Sequence, residues 1–215
     1  MRLGIFATVP VLAATAMMMS PAGPDAGGHA RAASFNCAQA ATPTEVAICG
    51  DPQLSQLDGA IGIAYAQRLA VDPAVRQVQR GWLKARNIGC GRDRGCLGRM
   101  MNFELGWLSN GRPPAGLPTR IGACALTSLS RVGYRLGDPG SGSAAEEANG
   151  ATQVSYDDIP AVNASRVGDP ALVCLVGLPQ NCPPGDDRGK TYAVANLRSL
   201  GAWSAPDSEH MCGGA

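Results

Sequence analysis

Eight cysteines carry the first chemical signal: Cys37, Cys49, Cys90, Cys96, Cys124, Cys174, Cys182 and Cys212. No two of them form a CxxC, and the chain holds only two histidines, so the clustered ligands of a zinc site are missing. An even set reads instead as a framework of structural disulfides. Two cation-bearing loops lie beside these cysteines. Gly91-Arg92-Asp93-Arg94-Gly95 sits between Cys90 and Cys96, and Gly185-Asp186-Asp187-Arg188-Gly189-Lys190 follows Cys182. Arg92, Arg94, Arg188 and Lys190 are the candidate binding residues, because a positive side chain in a tethered loop can enter an acidic cleft. The plainer reading is solvated surface charge. Asp186 and Asp187 lack the EF-hand spacing that calcium would need. His210, near Asp207 and Ser208, with Ser155 or Ser165 as nucleophile, would make a hydrolase set, but no Gly-x-Ser-x-Gly elbow exists. No catalytic residue, cofactor or metal is expected. Asn163-Ala164-Ser165 fits a glycosylation sequon, a match that three residues often make by chance.

The elements that must hold these residues divide the chain. Residues 34–110 read as helical. Thr42-Pro43-Thr44-Glu45 is a capping box, and Gly50 can end the helix it starts. Asp51-Pro52 and Asp72-Pro73 repeat the start signal. Helices are therefore expected over about 52–70 and 73–87, with a fourth from 93 or 95 to 108. A short turn makes the second and third antiparallel. Pairing about residue 72 puts Asp58 level with Arg86 and Tyr65 level with Gln79. An Asp58–Arg86 ion pair beside Trp82 follows, and Asp58, Tyr65, Trp82 and Arg86 are read as core rather than as a binding surface. The fourth helix presents Leu97, Met100 or Met101, Glu104 or Leu105, and Leu108.

Residues 111–119, with three prolines, read as a linker. Residues 120–215 read as strands at 123–136, 153–156, 171–176 and 191–194, separated by Gly/Pro/Asn/Asp turns. The fold class expected is α+β in two domains: a small disulfide-stapled antiparallel helical bundle, then a small antiparallel β-sandwich or barrel. Each half holds four cysteines, so pairing within halves is expected. An antiparallel hairpin brings the ends near Cys49 and Cys90 together, which favours Cys49–Cys90 with Cys37–Cys96. In the second half Cys174–Cys182 with Cys124–Cys212 is preferred.

Met1-Arg2 and the apolar run to Met19 read as a secretory signal peptide, residues 1–22 with cleavage extendable to 32, rather than as a membrane span. Export into an oxidising compartment, periplasmic or extracellular, suits the cysteines. Asn36 before Cys37 does not fit a lipobox, so no lipid anchor is expected. Residues 34–110 carry a charge balance of +2 and residues 120–215 one of −3, too little positive charge for a nucleic-acid binder.

One stretch is more specific than composition. Cys37, Ala47-Ile48-Cys49, Leu54, Leu57-Asp58, Tyr65, the run Gln79-Arg80-Gly81-Trp82-Leu83-Lys84-Ala85-Arg86-Asn87, Cys90 and Cys96-Leu97 together resemble the N-terminal domain of the LprI-type lysozyme-inhibitor family. The resemblance covers about residues 34–108, under half of the mature chain. It implies a non-catalytic exported protein whose partner is lysozyme. The other expectation is an envelope structural or interaction module in which the helical part is only a scaffold.

Overall fold

The computed structural model describes residues 33–214, so the expected signal peptide lies outside the described residues. A 3-10 turn at Cys37–Gln39 leads into α1 (Pro43–Cys49), α2 (Pro52–Val71), α3 (Val75–Cys90) and α4 (Arg94–Asn110). Their starts follow the local chemistry. Thr42 accepts the Glu45 N–H while the Glu45 carboxylate accepts the Thr42 N–H, closing the capping box. Asp51 accepts the N–H groups of Gln53 and Leu54 at the head of α2, and Asp93 accepts that of Cys96 at the head of α4. At α3, Asp72 and Pro73 form a tight turn instead of the first helical turn, and the helix begins two residues after the proline. Among the described residues no helix is long and apolar enough to cross a membrane.

The second half is one curled antiparallel sheet in the order β3-β2-β1-β4-β5-β6. Its strands are β1 (Cys124–Tyr134), β2 (Ser143–Glu147), β3 (Thr152–Ser155), β4 (Pro170–Gly177), β5 (Thr191–Asn196) and β6 (Ala202–Pro206). A short helix, α5 (Pro160–Asn163), precedes β4. The chain is thus α+β, with four helices followed by a half-barrel rather than a two-sheet sandwich. The curl brings the edge strands β3 and β6 next to each other. Its concave side is filled by Ala125, Leu129, Ala145, Val173, Val194 and Trp203. Small residues such as Ala125 and Ala145 leave room there for Leu129 and Trp203 to fill the narrow interior.

The other side of the sheet belongs to the helices. α2 packs chiefly on α4, while α3 lies across β4, β5 and β6. A second apolar cluster joins Trp82, Ala85, Leu97, Met100 and Met101 to Leu172, Ala193, Ala195 and Leu197. The core therefore runs across the boundary expected at residues 111–119. That segment is itself tied down. Arg112 pairs with Asp72 at 3.1 Å, the Pro114 carbonyl accepts the Leu126 N–H, and Pro113 and Pro118 are buried.

All eight cysteines are paired, each within its own half: Cys37–Cys49, Cys90–Cys96, Cys124–Cys174 and Cys182–Cys212. The partners differ from those expected in both halves. The helices do bring α1 to the end of α3, where Thr44 Oγ1 donates to the Gly91 carbonyl. Each sulfur nevertheless meets a nearer partner along the chain: one bridge spans α1, and another clips the end of α3 to the first turn of α4. In the sheet, Cys124 and Cys174 face each other directly across β1 and β4. This leaves Cys182 in the β4–β5 loop to take Cys212.

Candidate functional site

The loop from Cys90 to Cys96 is built from two helix ends. Asn87 accepts the Gly91 N–H at the end of α3, Asp93 caps α4, and the disulfide closes the six-residue span between them. Arg92 and Arg94 are left on the outside. The Arg94 side chain is 61% exposed and reaches Asp51 only at 3.9 Å. Arg94 also stands between two open clefts. One, of about 570 Å³, is lined by Pro43, Val46, Gly50 and Arg92. The other, of about 700 Å³, is lined by Asp51, Leu57, Arg99, Phe103 and Arg120.

The second cationic loop is different. Arg188 grips Asp186 through Nε at 2.9 Å and Nη2 at 2.8 Å. Lys190 pairs with Asp187 and lies 3.8 Å from Asp207. The guanidinium of Arg188 holds Asp186 well below the usual carboxylate range, and Lys190 lowers Asp187 in the same way. The two cations there are already neutralised by their neighbours, and the two aspartates are occupied by them. The structure thus does not bring Arg92 and Arg94 together with Arg188 and Lys190 in one cleft.

Asp58, Trp82 and Arg86 meet in the helical core. Arg86 Nη1 lies 3.6 Å from Asp58 Oδ1, a charge contact rather than a hydrogen bond, and the guanidinium stands 5.0 Å from the centre of the Trp82 ring. Asp58 Oδ2 accepts both the N–H and the hydroxyl of Ser34. Tyr65 is half-buried against the same cluster. Glu104 joins this group fully buried. Burial pushes its carboxyl well above the usual range, against the opposing charge of Arg86. Burial likewise lowers Arg86, with Asp58 and then Glu104 acting to restore it. The sequence offered Glu104 or Leu105 for the inner face of the fourth helix, and the structure buries Glu104. The signal was an acid four residues after Met100 and four before Leu108 on an otherwise apolar stripe.

The hydrolase set is dispersed into structural roles. Ser165 Oγ donates to the Ala161 carbonyl and accepts from Asn196, Ser155 Oγ accepts the Asp157 N–H, and Asp207 accepts the Gly189 N–H. His210 is exposed. Asn163 Oδ1 accepts from Ser143.

A polar relay in the half-barrel was missed entirely. Trp203 Nε1 donates to Gln153 Oε1 at 3.3 Å, and Gln153 Nε2 donates to Glu147 Oε2 at 2.9 Å. The relay spans β6, β3 and β2, so side chains link the two edges that the curl brings close. Burial raises the Glu147 carboxyl to about 7, the Gln153 hydrogen bond opposing it.

Comparison with known protein families, curated proteins and solved structures finds no match.

Proposed function

We propose that this is an exported, non-catalytic binding protein of the lysozyme-inhibitor type, acting in the periplasm or outside the cell. The observation that carries the reading is the disulfide-clipped loop that displays Arg92 and Arg94. Lysozyme works through a carboxylate pair in a cleft. A guanidinium on a short, fixed loop can bridge such a carboxylate with two charged hydrogen bonds and loses little freedom in doing so. Lysozyme is itself basic, so a local plug suits it better than a broadly cationic face. The acidic second half adds attraction to its rim. The resemblance of residues 34–108 to the LprI-type domain supports the same reading, and four disulfides suit an oxidising compartment.

The test is inhibition of purified lysozyme by the disulfide-intact protein. Arg92→Ala with Arg94→Ala should weaken inhibition tenfold or more, about 1.4 kcal/mol, while the melting temperature holds. Arg188→Ala should leave inhibition unchanged. Absence of inhibition by the native protein would hand the fold to the scaffold reading.

A further inference from the structure

We propose that the larger cleft beside Arg94 binds an acidic peptide segment that carries apolar side chains beside its carboxylates. The proposal does not rest on lysozyme as a partner.

The cleft is made by parts of the chain that are distant in sequence. The cap and first turns of α2 supply Asp51, Gln53, Leu54 and Leu57, and α4 supplies Arg94, Arg99, Asn102 and Phe103. The turn before β1 adds Arg120 and Ile121. That turn is rigid. The Ala123 N–H bonds to the Arg120 carbonyl, the Gly122 N–H to the Leu175 carbonyl, and the Leu175 N–H to the Ala123 carbonyl. Gly122 sits at φ +90° hard against α4, where a Cβ would fall 2.7 Å from the Arg99 carbonyl carbon. Glycine at this point is what lets the turn close on the helix and bring Arg120 to the same opening as Arg99.

Charge is one-sided here. Three guanidinium groups face one carboxylate, Asp51, which is already engaged in capping α2 and in its 3.9 Å contact with Arg94. Among the described residues, the Arg99 and Arg120 side chains have no ion-pair partner within 4.0 Å. The helix starts add little positive potential, because Asp51 and Asp93 occupy their free N–H groups. The arginines therefore supply the field, and the planar fork of each fits a carboxylate.

The apolar part decides the ligand class. Leu57, Phe103 and Ile121 line this cleft half-buried, Leu57 and Phe103 with one side against the helical core, over a buried Leu54. A sulfated or phosphorylated polymer would use the arginines and leave those side chains in water. An open cleft of about 700 Å³ also suits an extended segment better than an enclosed small molecule. A peptide alternating acidic and apolar residues satisfies both components.

The experiment is fluorescence anisotropy on the disulfide-intact protein with three labelled peptides. One alternates Glu and Leu, one replaces each Glu by Gln, and one replaces each Leu by Gly. A sulfated oligosaccharide serves as competitor. The Glu–Leu peptide should bind saturably and weaken with added salt. The Gln and Gly peptides should each bind at least tenfold more weakly. Arg99→Ala with Arg120→Ala should lose tenfold or more, and Arg188→Ala nothing. If the alanine pair melts lower, Arg99→Gln with Arg120→Gln keeps the aliphatic stems and is read instead. The proposal is overturned by no saturable binding of the Glu–Leu peptide, by equal binding of the Gln or Gly peptide, by undiminished binding to the arginine variants, or by preference for the oligosaccharide.

Discussion

Removing either Arg86 or Asp58 strands a charged group in the helical core. Their mutual attraction is modest at 3.6 Å, but each is almost wholly shielded from water. An unpaired buried charge costs about 3–5 kcal/mol. Asp58→Ala and Arg86→Ala should each lower the melting temperature, and the double variant should lose less than the sum. Retained stability in both singles, with a partner no longer bound, would make these residues a binding surface instead. Glu147 gives a pH signature with a definite sign. Its carboxyl is raised from 4.5 to about 7 by burial, so the folded state holds the proton more tightly than the unfolded chain. Stability from this group is complete below about pH 4.5, falls as pH rises, and levels off above about pH 7. The loss is on the order of 3 kcal/mol, at about 1.4 kcal/mol per tenfold. Glu104 slopes in the same direction, so the contribution of Glu147 is read as the difference between the native protein and Glu147→Gln in chemical denaturation across that range. Equal pH slopes for the two proteins would remove Glu147 from this role.

α3 is the element that joins the two kinds of structure. Trp82 and Arg86 face the helices, while Gly81, Ala85 and Gly89 lie at four-residue spacing on the sheet side. A Cβ at Gly81 would fall 2.2 Å from Leu197 Cδ2, and one at Gly89 2.7 Å from Ala193 Cβ. Alanine normally gains about 1 kcal/mol over glycine inside a helix. At Gly89 a clash of about 1–3 kcal/mol is set against that gain, for a net loss of up to about 2 kcal/mol. Gly106 in α4 has nothing within 4 Å of an added Cβ, so Gly106→Ala should stabilise by up to about 1 kcal/mol. Thermal melts of the two variants should move in opposite directions. A rise for both would mean that α3 and the sheet do not pack this closely. Element starts were readable because caps and turns are local: Thr42, Asp51 and Asp93 act on N–H groups within three residues. β2 and β6 were not. β2 turns Ser143, Ala145 and Glu147 inward, residues of low strand propensity that only the narrow interior of the half-barrel selects.

At the scale of the whole molecule, helices and sheet share an apolar cluster, so residues 34–110 alone would expose the Gly81–Ala85–Gly89 face of α3. That fragment should melt without a cooperative transition and bind a hydrophobic dye, while the full chain melts cooperatively. A sharp melt of the fragment at the temperature of the full chain would deny the shared core its energetic weight. Peptide mapping of the oxidised protein should recover Cys37–Cys49, Cys90–Cys96, Cys124–Cys174 and Cys182–Cys212. A bridge between the halves, or the Cys49–Cys90 pair, would contradict this arrangement.

The starts of α1, α2 and α4, turn positions, the division into helical and strand halves and the even cysteine set could be read from the chain because each depends on composition or on contacts within a few residues. The Asp58–Arg86 proximity also followed from a local rule, since a short turn between two helices sets their level. Cysteine partners, strand order, the Glu147–Gln153–Trp203 relay and the convergence of Arg94, Arg99 and Arg120 belong to the tertiary structure alone. Cys124–Cys174, Cys182–Cys212, the Gln153–Trp203 hydrogen bond and the approach of Arg120 to Arg99 each join residues 20 to 50 positions apart, while the two bridges of the helical half, 12 and 6 residues long, depend on how the helix ends are placed. Which of them meet is chosen by the docking of α3 on β4–β6 and by the pairing of β1 with β4, where many weak long-range contacts act together and no single motif records the outcome.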